Sequence, residues 1–193
     1  GLSDGRLLRL DPTTGTGELV RLYEAPAAEG LRPPTPIFGL LEDAQGSLWV
    51  AAKRDGLYRL DADRQVAESY PLAGLNAEPD ETTLAAPQLN AIASDQAGNI
   101  WLGYERGELS RLDPHTGTFT HYQIGADSGN PGGFIEDIFA AEDGRLWLAT
   151  NEGLIRFDLQ TEPFTHFATA AGFASTYPLA ILPDDAGFLW VST

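Results

Sequence analysis

Histidines and carboxylates are the residue types here that could do acid–base or metal chemistry. His115, His121 and His166 are the only imidazoles among 193 residues, beside 28 Asp plus Glu and no cysteine. Imidazole is the natural acid, base or ligand near neutral pH. Yet His121 and His166 occupy the same place in the parallel phrases FTHY and FTHF, and His115 lies in the turn phrase DPHTG. A side chain that recurs at one place in a repeat reads as a strand feature, so no catalytic residue is assigned. The carboxylates are numerous enough to pair by chance, and their spacing aligns no acid with a base. No D-x-D-x-D-G loop is present, and GADSGNPGG from Gly125 carries one carboxylate, so no metal is expected. That run also lacks the lysine of a phosphate cradle, so no cofactor is expected.

A second set of charges recurs as well. Arg9, Arg59, Arg111 and Arg156 each stand two residues before Asp11, Asp61, Asp113 and Asp158. On a strand that spacing puts both charges on one face, which predicts local or interblade ion pairing.

These recurrences belong to a larger repeat, the first thing to settle in any sequence. Trp49, Trp101, Trp147 and Trp190 are spaced 52, 46 and 43 residues apart, each three residues after a glycine: Gly46, Gly98, Gly144 and Gly187. Downstream come GLYRLD, GELSRLD and GLIRFD, with a fourth copy, GRLLRLD, ending at Asp11. A further apolar phrase follows each, and another precedes each tryptophan, from Ile37, Leu89, Ile135 and Leu179. Four short apolar runs per unit, punctuated by Gly, Asp and Pro, predict four strands, and no window carries sustained helical periodicity.

Tandem four-stranded units of this length predict an all-β fold, a β-propeller of four-stranded antiparallel blades. The units divide as 1–36 (second half of a blade), 37–88, 89–134 and 135–178 (whole blades) and 179–193 (first half of a blade). About four blade-equivalents are therefore present. The two halves either zip into a four-bladed ring or mark an excerpt of a larger propeller. The excerpt is preferred, because four blades is the small limit for such rings. The start at Gly1, with no methionine anywhere, likewise reads as a piece of something longer or a processed form.

Composition narrows the partners. A formal net charge of -16, with no basic patch, argues against nucleic acid and anionic membrane surfaces. Apolar runs of a few residues are too short to insert in a bilayer. On a repeat scaffold, recognition resides in what does not repeat. The connectors from fourth to first strand share one end of the blades with the turns between second and third strands. Those turns supply the candidate ligand-binding residues Lys53, Arg54, Tyr104, Glu105, Arg106, Asn151 and Glu152.

The pattern D-x-x-G-x-L-W followed by G-L-x-R-apolar-D resembles the two-component regulator propeller repeat, over nearly the whole chain. Its fullest copy is GRLWLATNEGLIRFD, Gly144 to Asp158, and its weakest is GELSRLD after Tyr104–Glu105–Arg106. The resemblance implies a periplasmic, non-catalytic sensor propeller of a bacterial hybrid histidine kinase or diguanylate-cyclase-linked receptor. It implies a small-molecule or glycan ligand, with other blades or domains, or a second copy in a homodimer, as partners. No kinase or cyclase motif is present to carry those activities. The alternatives are a propeller enzyme of the lactonase or lyase type and a purely structural dimerisation module.

Overall fold

The computed structural model describes residues 6–22, 36–72, 79–85, 88–124, 133–161, 164–167 and 177–192. Most of the four long connectors, including the Gly125 run, lies outside these residues. Among the described residues no helix is long and apolar enough to cross a membrane.

The chain is all-β. Three four-stranded antiparallel sheets follow one another along the sequence. The first contains β3 (Ile37–Glu42), β4 (Leu48–Ala52), β5 (Gly56–Leu60) and β6 (Val66–Tyr70). The second contains β7 (Leu89–Ser94), β8 (Ile100–Tyr104), β9 (Glu108–Asp113) and β10 (Thr118–Gln123). The third contains β11 (Ile135–Ala140), β12 (Arg145–Thr150), β13 (Gly153–Asp158) and β14 (Phe164–Phe167). Two-stranded sheets flank them: β1 (Arg6–Leu10) with β2 (Gly17–Arg21), and β15 (Ala180–Pro183) with β16 (Leu189–Ser192). Among the described residues these two pairs form separate sheets, with no pairing between them.

Each hairpin follows from its turn residues. At the first turn Asp43 Oδ1 accepts the N–H groups of Gln45 and Ser47 at 3.0 and 2.8 Å, while Gly46 takes a φ of 80°. Glycine adopts that left-handed conformation without steric cost. Gly98, Gly144 and Gly187 repeat it with φ of 84°, 80° and 85°. At the same end, Asp11, Asp113 and Asp158 each use Oδ1 to accept N–H groups of the turn that follows the third strand of their unit. Those bonds hold all three carboxyls below the ordinary carboxylate range, since a carboxylate accepting backbone N–H groups favours its charged form.

That capping corrects the expected Arg–Asp pairing. Among the described residues no ion pair joins Arg59, Arg111 or Arg156 to its aspartate. Arg59 instead pairs with Glu68 across the strand at 3.5 Å and lies 5.4 Å from the Trp49 ring; Arg111 lies 6.0 Å from Trp101. Arg156 lies 5.7 Å from Phe167. The aspartates stand at strand ends, where their own turns reach them first.

The sheets stack face to face, and the tryptophans sit in the seams. Trp49 packs with Leu89, Ile100, Leu102 and Phe119 of the next sheet, and Trp101 with Ile138, Leu146, Leu148 and Phe157 of the one after. Both are fully buried; Trp147 is half-buried against Ile181 and Val191, while Trp190 is 67% exposed. Sealed indole N–H groups need acceptors. Trp49 Nε1 donates to Asp43 Oδ2 and Trp101 Nε1 to Asp95 Oδ2, both at 2.8 Å; Trp190 Nε1 donates to Asp184 at 3.2 Å. Trp147 has Ala141 at that position. The copy that matches the repeat phrase best therefore lacks its side-chain clasp.

The first strands β3, β7, β11 and β15 lie successively against one another. Their approach is tight: a Cβ added at Gly39 of β3 would run into Ile92 Cγ2 of β7. The register shifts at the same place in β3, β7 and β11, between Ile37 and Gly39, Leu89 and Ala91, and Ile135 and Asp137. Asp137 then crosses to the next sheet, where its Oδ2 accepts the Ile181 N–H at 2.8 Å.

Candidate recognition face

The turns between second and third strands are fixed by one repeated bond. Lys53, Glu105 and Asn151 donate their backbone N–H to the carbonyls of Pro36, Gln88 and Phe134, the residues immediately before β3, β7 and β11. Leu89 in turn donates to the Lys53 carbonyl at 3.1 Å, tying the second sheet to the turn of the first. These bonds put the three turns at the end where the connectors enter the first strands. The D-x-x-G turns lie at the opposite end.

On that face Lys53 and Glu105 meet. Lys53 Nζ stands 3.1 Å from Glu105 Oε1, with side chains 21% and 25% exposed, and 4.7 Å from the Phe38 ring centroid. A pair this accessible contributes about 1 kcal/mol or less, and the cation–π contact a similar amount. Their value lies in geometry: one ion pair spans two adjacent sheets. Arg54 and Arg106 are exposed, and Gln123 Nε2 donates to the Arg106 carbonyl at 3.0 Å. Asn151 is half-buried with a sealed Oδ1 that accepts nothing among the described residues. The Glu152 N–H donates to Thr150 Oγ1 at 3.2 Å.

Tyr104 does not belong on this surface. It is the last residue of β8, fully buried beside Leu89 and Leu102, and burial pushes its pKa up. Counting it into the turn moved an inward-facing strand residue onto the face. Phe38, by contrast, is 53% exposed beside Lys53, and sequence reasoning passed over it. Its phrase IFGLLED alternates like any half-buried strand, which puts Phe38 on the exposed side with Leu40, and the register shift between Ile37 and Gly39 at which it stands leaves no mark in residue type.

The pairing of a serine with a histidine also invites a catalytic reading. Ser110 Oγ lies 2.8 Å from His121 Nδ1. Ser110 is fully buried, however, and His121 Nε2 is engaged with the Asp80 carbonyl at 2.8 Å. The serine has no open side from which a substrate carbonyl could be attacked. Among the described residues no three His, Asp or Glu side chains gather as metal ligands. The apolar grooves lie elsewhere: one of about 520 Å³ is lined by Trp147, Leu154, Phe167, Phe188, Leu189 and Val191, beside the two-stranded β15–β16 sheet.

No protein-family model matches the chain, and no curated protein matches it. Solved structures do. The chain is similar to the extracellular domain described as that of a hybrid two-component system, BT3049, from B. thetaiotaomicron, at 19% identity and a TM-score of 0.73. The match covers 98% of this chain and 27% of that one. It is similar, at 18% identity and 0.73, to the extracellular domain described as that of a one-component system, BT4673, from the same organism, covering 98% and 24%. A third, PorZ of Porphyromonas gingivalis, a surface component of a type-IX secretion system, matches at 18% and 0.58 over 82% and 23%. At these identities the likeness is one of fold. The chain spans about a quarter of the length of each structure, so activities of those whole proteins are not carried by the match.

Proposed function

We propose that the chain is a run of blades from a larger β-propeller, serving as a non-catalytic, extracytoplasmic recognition domain of a bacterial signal-transduction receptor. The observation that carries this reading is the face-to-face stack of repeated sheets with β3, β7, β11 and β15 innermost, a stack shared with extracellular domains of sensor systems. The repeat phrases add to it. In this account a small-molecule or glycan ligand binds at the connector end, where Lys53, Arg54, Glu105, Arg106, Asn151 and Glu152 depart from the repeat. Lys53 and Glu105 straddle two sheets, so a ligand that parts them alters how those blades sit together. The same surface, or the blade faces beside β1 and β16, would contact further blades, other domains or a second copy.

The test is a calorimetric screen of the chain against oligosaccharides and small anionic and neutral metabolites, repeated on Lys53→Ala and Arg106→Ala. Binding that is lost in these variants while their thermal unfolding stays intact supports the reading. Binding indifferent to both variants moves the site off this face. Turnover of a lactone or glycan by the unmodified chain places it instead among propeller enzymes.

A further inference from the structure

The second sheet departs from its neighbours on one face. Leu102 pairs with Ser110 and Ser110 with His121, so Tyr104, Glu108, Ser110 and His121 share the face that packs on the first sheet. The same four places hold Ala52, Gly56, Tyr58 and Ser69 in the first sheet, and Thr150, Gly153, Ile155 and His166 in the third. Only the second sheet collects a phenol, a carboxyl, a hydroxyl and an imidazole there.

Two members of this set have polar atoms sealed from solvent with no hydrogen-bond partner: Tyr104 Oη and Glu108 Oε2. The phenol is fully buried, with Ser110, the Ala85 backbone and the Glu108 carboxyl around it. Sealed polar atoms left unpaired are destabilising, and proteins usually satisfy them with ordered water. The rest of the cluster is fully bonded and reaches outward. A carbonyl can only accept, so His121 Nε2 carries the proton donated to Asp80 O, and Nδ1 shares a hydrogen bond with the Ser110 hydroxyl. Beside it the Phe119 N–H donates to the Glu81 carbonyl at 2.9 Å. The segment 79–85 thereby covers the outer edge of β10, and its Leu84 and Ala85 fill the seam between the first two sheets.

We propose that Tyr104, Glu108, Ser110 and His121 form a buried hydration site in which one water bridges the Tyr104 hydroxyl and the Glu108 carboxyl. This site holds the 79–85 segment on β10. Tyr104 and Glu108 flank the Glu105–Gly107 turn, so the water links that turn through Ser110 and His121 to the Asp80 carbonyl. A carboxylate oxygen accepts, so Glu108 Oε2 can take one of the water's hydrogens while the Tyr104 hydroxyl bonds its oxygen. The inference concerns the interior of the second sheet and stands whether or not the connector end binds a ligand.

Tyr104→Phe gives a test of sign. If the hydroxyl is unpaired, removing it relieves a buried polar group and leaves the chain as stable or more so. If it holds a bridging water, the chain becomes less stable in urea, and amide exchange at Phe119, which donates to Glu81, speeds about tenfold. His121→Ala should free the same amide to a similar degree. A Tyr104→Phe chain of equal or greater stability overturns the hydration site. Lost stability with Phe119 still protected in both variants overturns its link to the 79–85 segment.

Discussion

Replacing Ala141 with aspartate should stabilise the chain. The turn at Ala141 already has the backbone of the aspartate turns: Ala141 N–H donates to Arg145 O at 2.8 Å and Gly144 N–H to Ala141 O at 3.2 Å, against 3.0 and 3.0 Å for the corresponding bonds at Asp43. A carboxylate grafted there meets three donors already in place: the N–H groups of Asp143 and Arg145 and the Trp147 indole. Hydrogen bonds to charged groups contribute about 1.5–3 kcal/mol each when buried. Trp147 is only half-buried, and Glu142 and Asp143 add like charge beside the new carboxylate. The sum expected is therefore about 1–2 kcal/mol, read as a higher urea midpoint at constant slope or as about 2–4 °C in Tm per kcal/mol. Asp95→Ala is the mirror experiment. It removes the acceptor of Trp101 Nε1 and of two Asn99 donors around a fully buried indole, and should cost about 2–4 kcal/mol. Trp147→Phe, made both in the unmodified chain and together with Ala141→Asp, isolates the indole bond as a coupling energy. A neutral or destabilising Ala141→Asp, or a gain that survives Trp147→Phe undiminished, would refute the clasp as the function of the recurring aspartate.

Three further outcomes follow from the same geometry. Arg64 holds a φ of 63° and donates from Nη1 to Gly46 O at 2.9 Å; Arg64→Gly relieves the backbone but loses the bond, whereas Arg64→Ala loses both advantages and should be the less stable of the two by about 1 kcal/mol in urea titrations. Trp101→Ala opens a cavity in the seam between the second and third sheets and should cost about 3–5 kcal/mol, checked by equilibrium unfolding. Burial raises the Glu108 carboxyl, so the folded state binds the proton more tightly than the unfolded state, and stability falls as pH rises through and above the ordinary carboxylate range. Glu108→Gln removes that loss: its advantage over the unmodified chain should be present at pH 7 and vanish at acid pH, followed as unfolding free energy against pH.

Punctuation made the strands legible. A glycine three residues before each tryptophan and an aspartate closing each third strand mark hairpin ends through backbone requirements that few other residues meet. What those residues bond to was less legible. Ala141 went unnoticed inside the most regular copy because Gly144, Trp147 and Asp158 carried the match, while the clasp depends on the residue six before the indole. Arg59 and Asp61 share a face, but a guanidinium beside a buried indole and a carboxylate beside its own turn each find a nearer partner than one another. Tyr104 shows the limit of reading a turn by position, since one residue's difference in where the strand ends separates solvent from core. The GELS phrase was visible as a departure from the repeat; that its Glu108 and Ser110 join Tyr104 and His121 on one face needed the cross-strand register.

The most direct test of the account is a crystal structure of the chain. It should show β3, β7, β11 and β15 side by side at the inner edge, the Trp49 and Trp101 indoles in successive seams, and the Lys53, Glu105 and Asn151 turns together at the end where the connectors enter. Strands closed into a single barrel, or a two-layer sandwich with the tryptophans in one shared core, would contradict it.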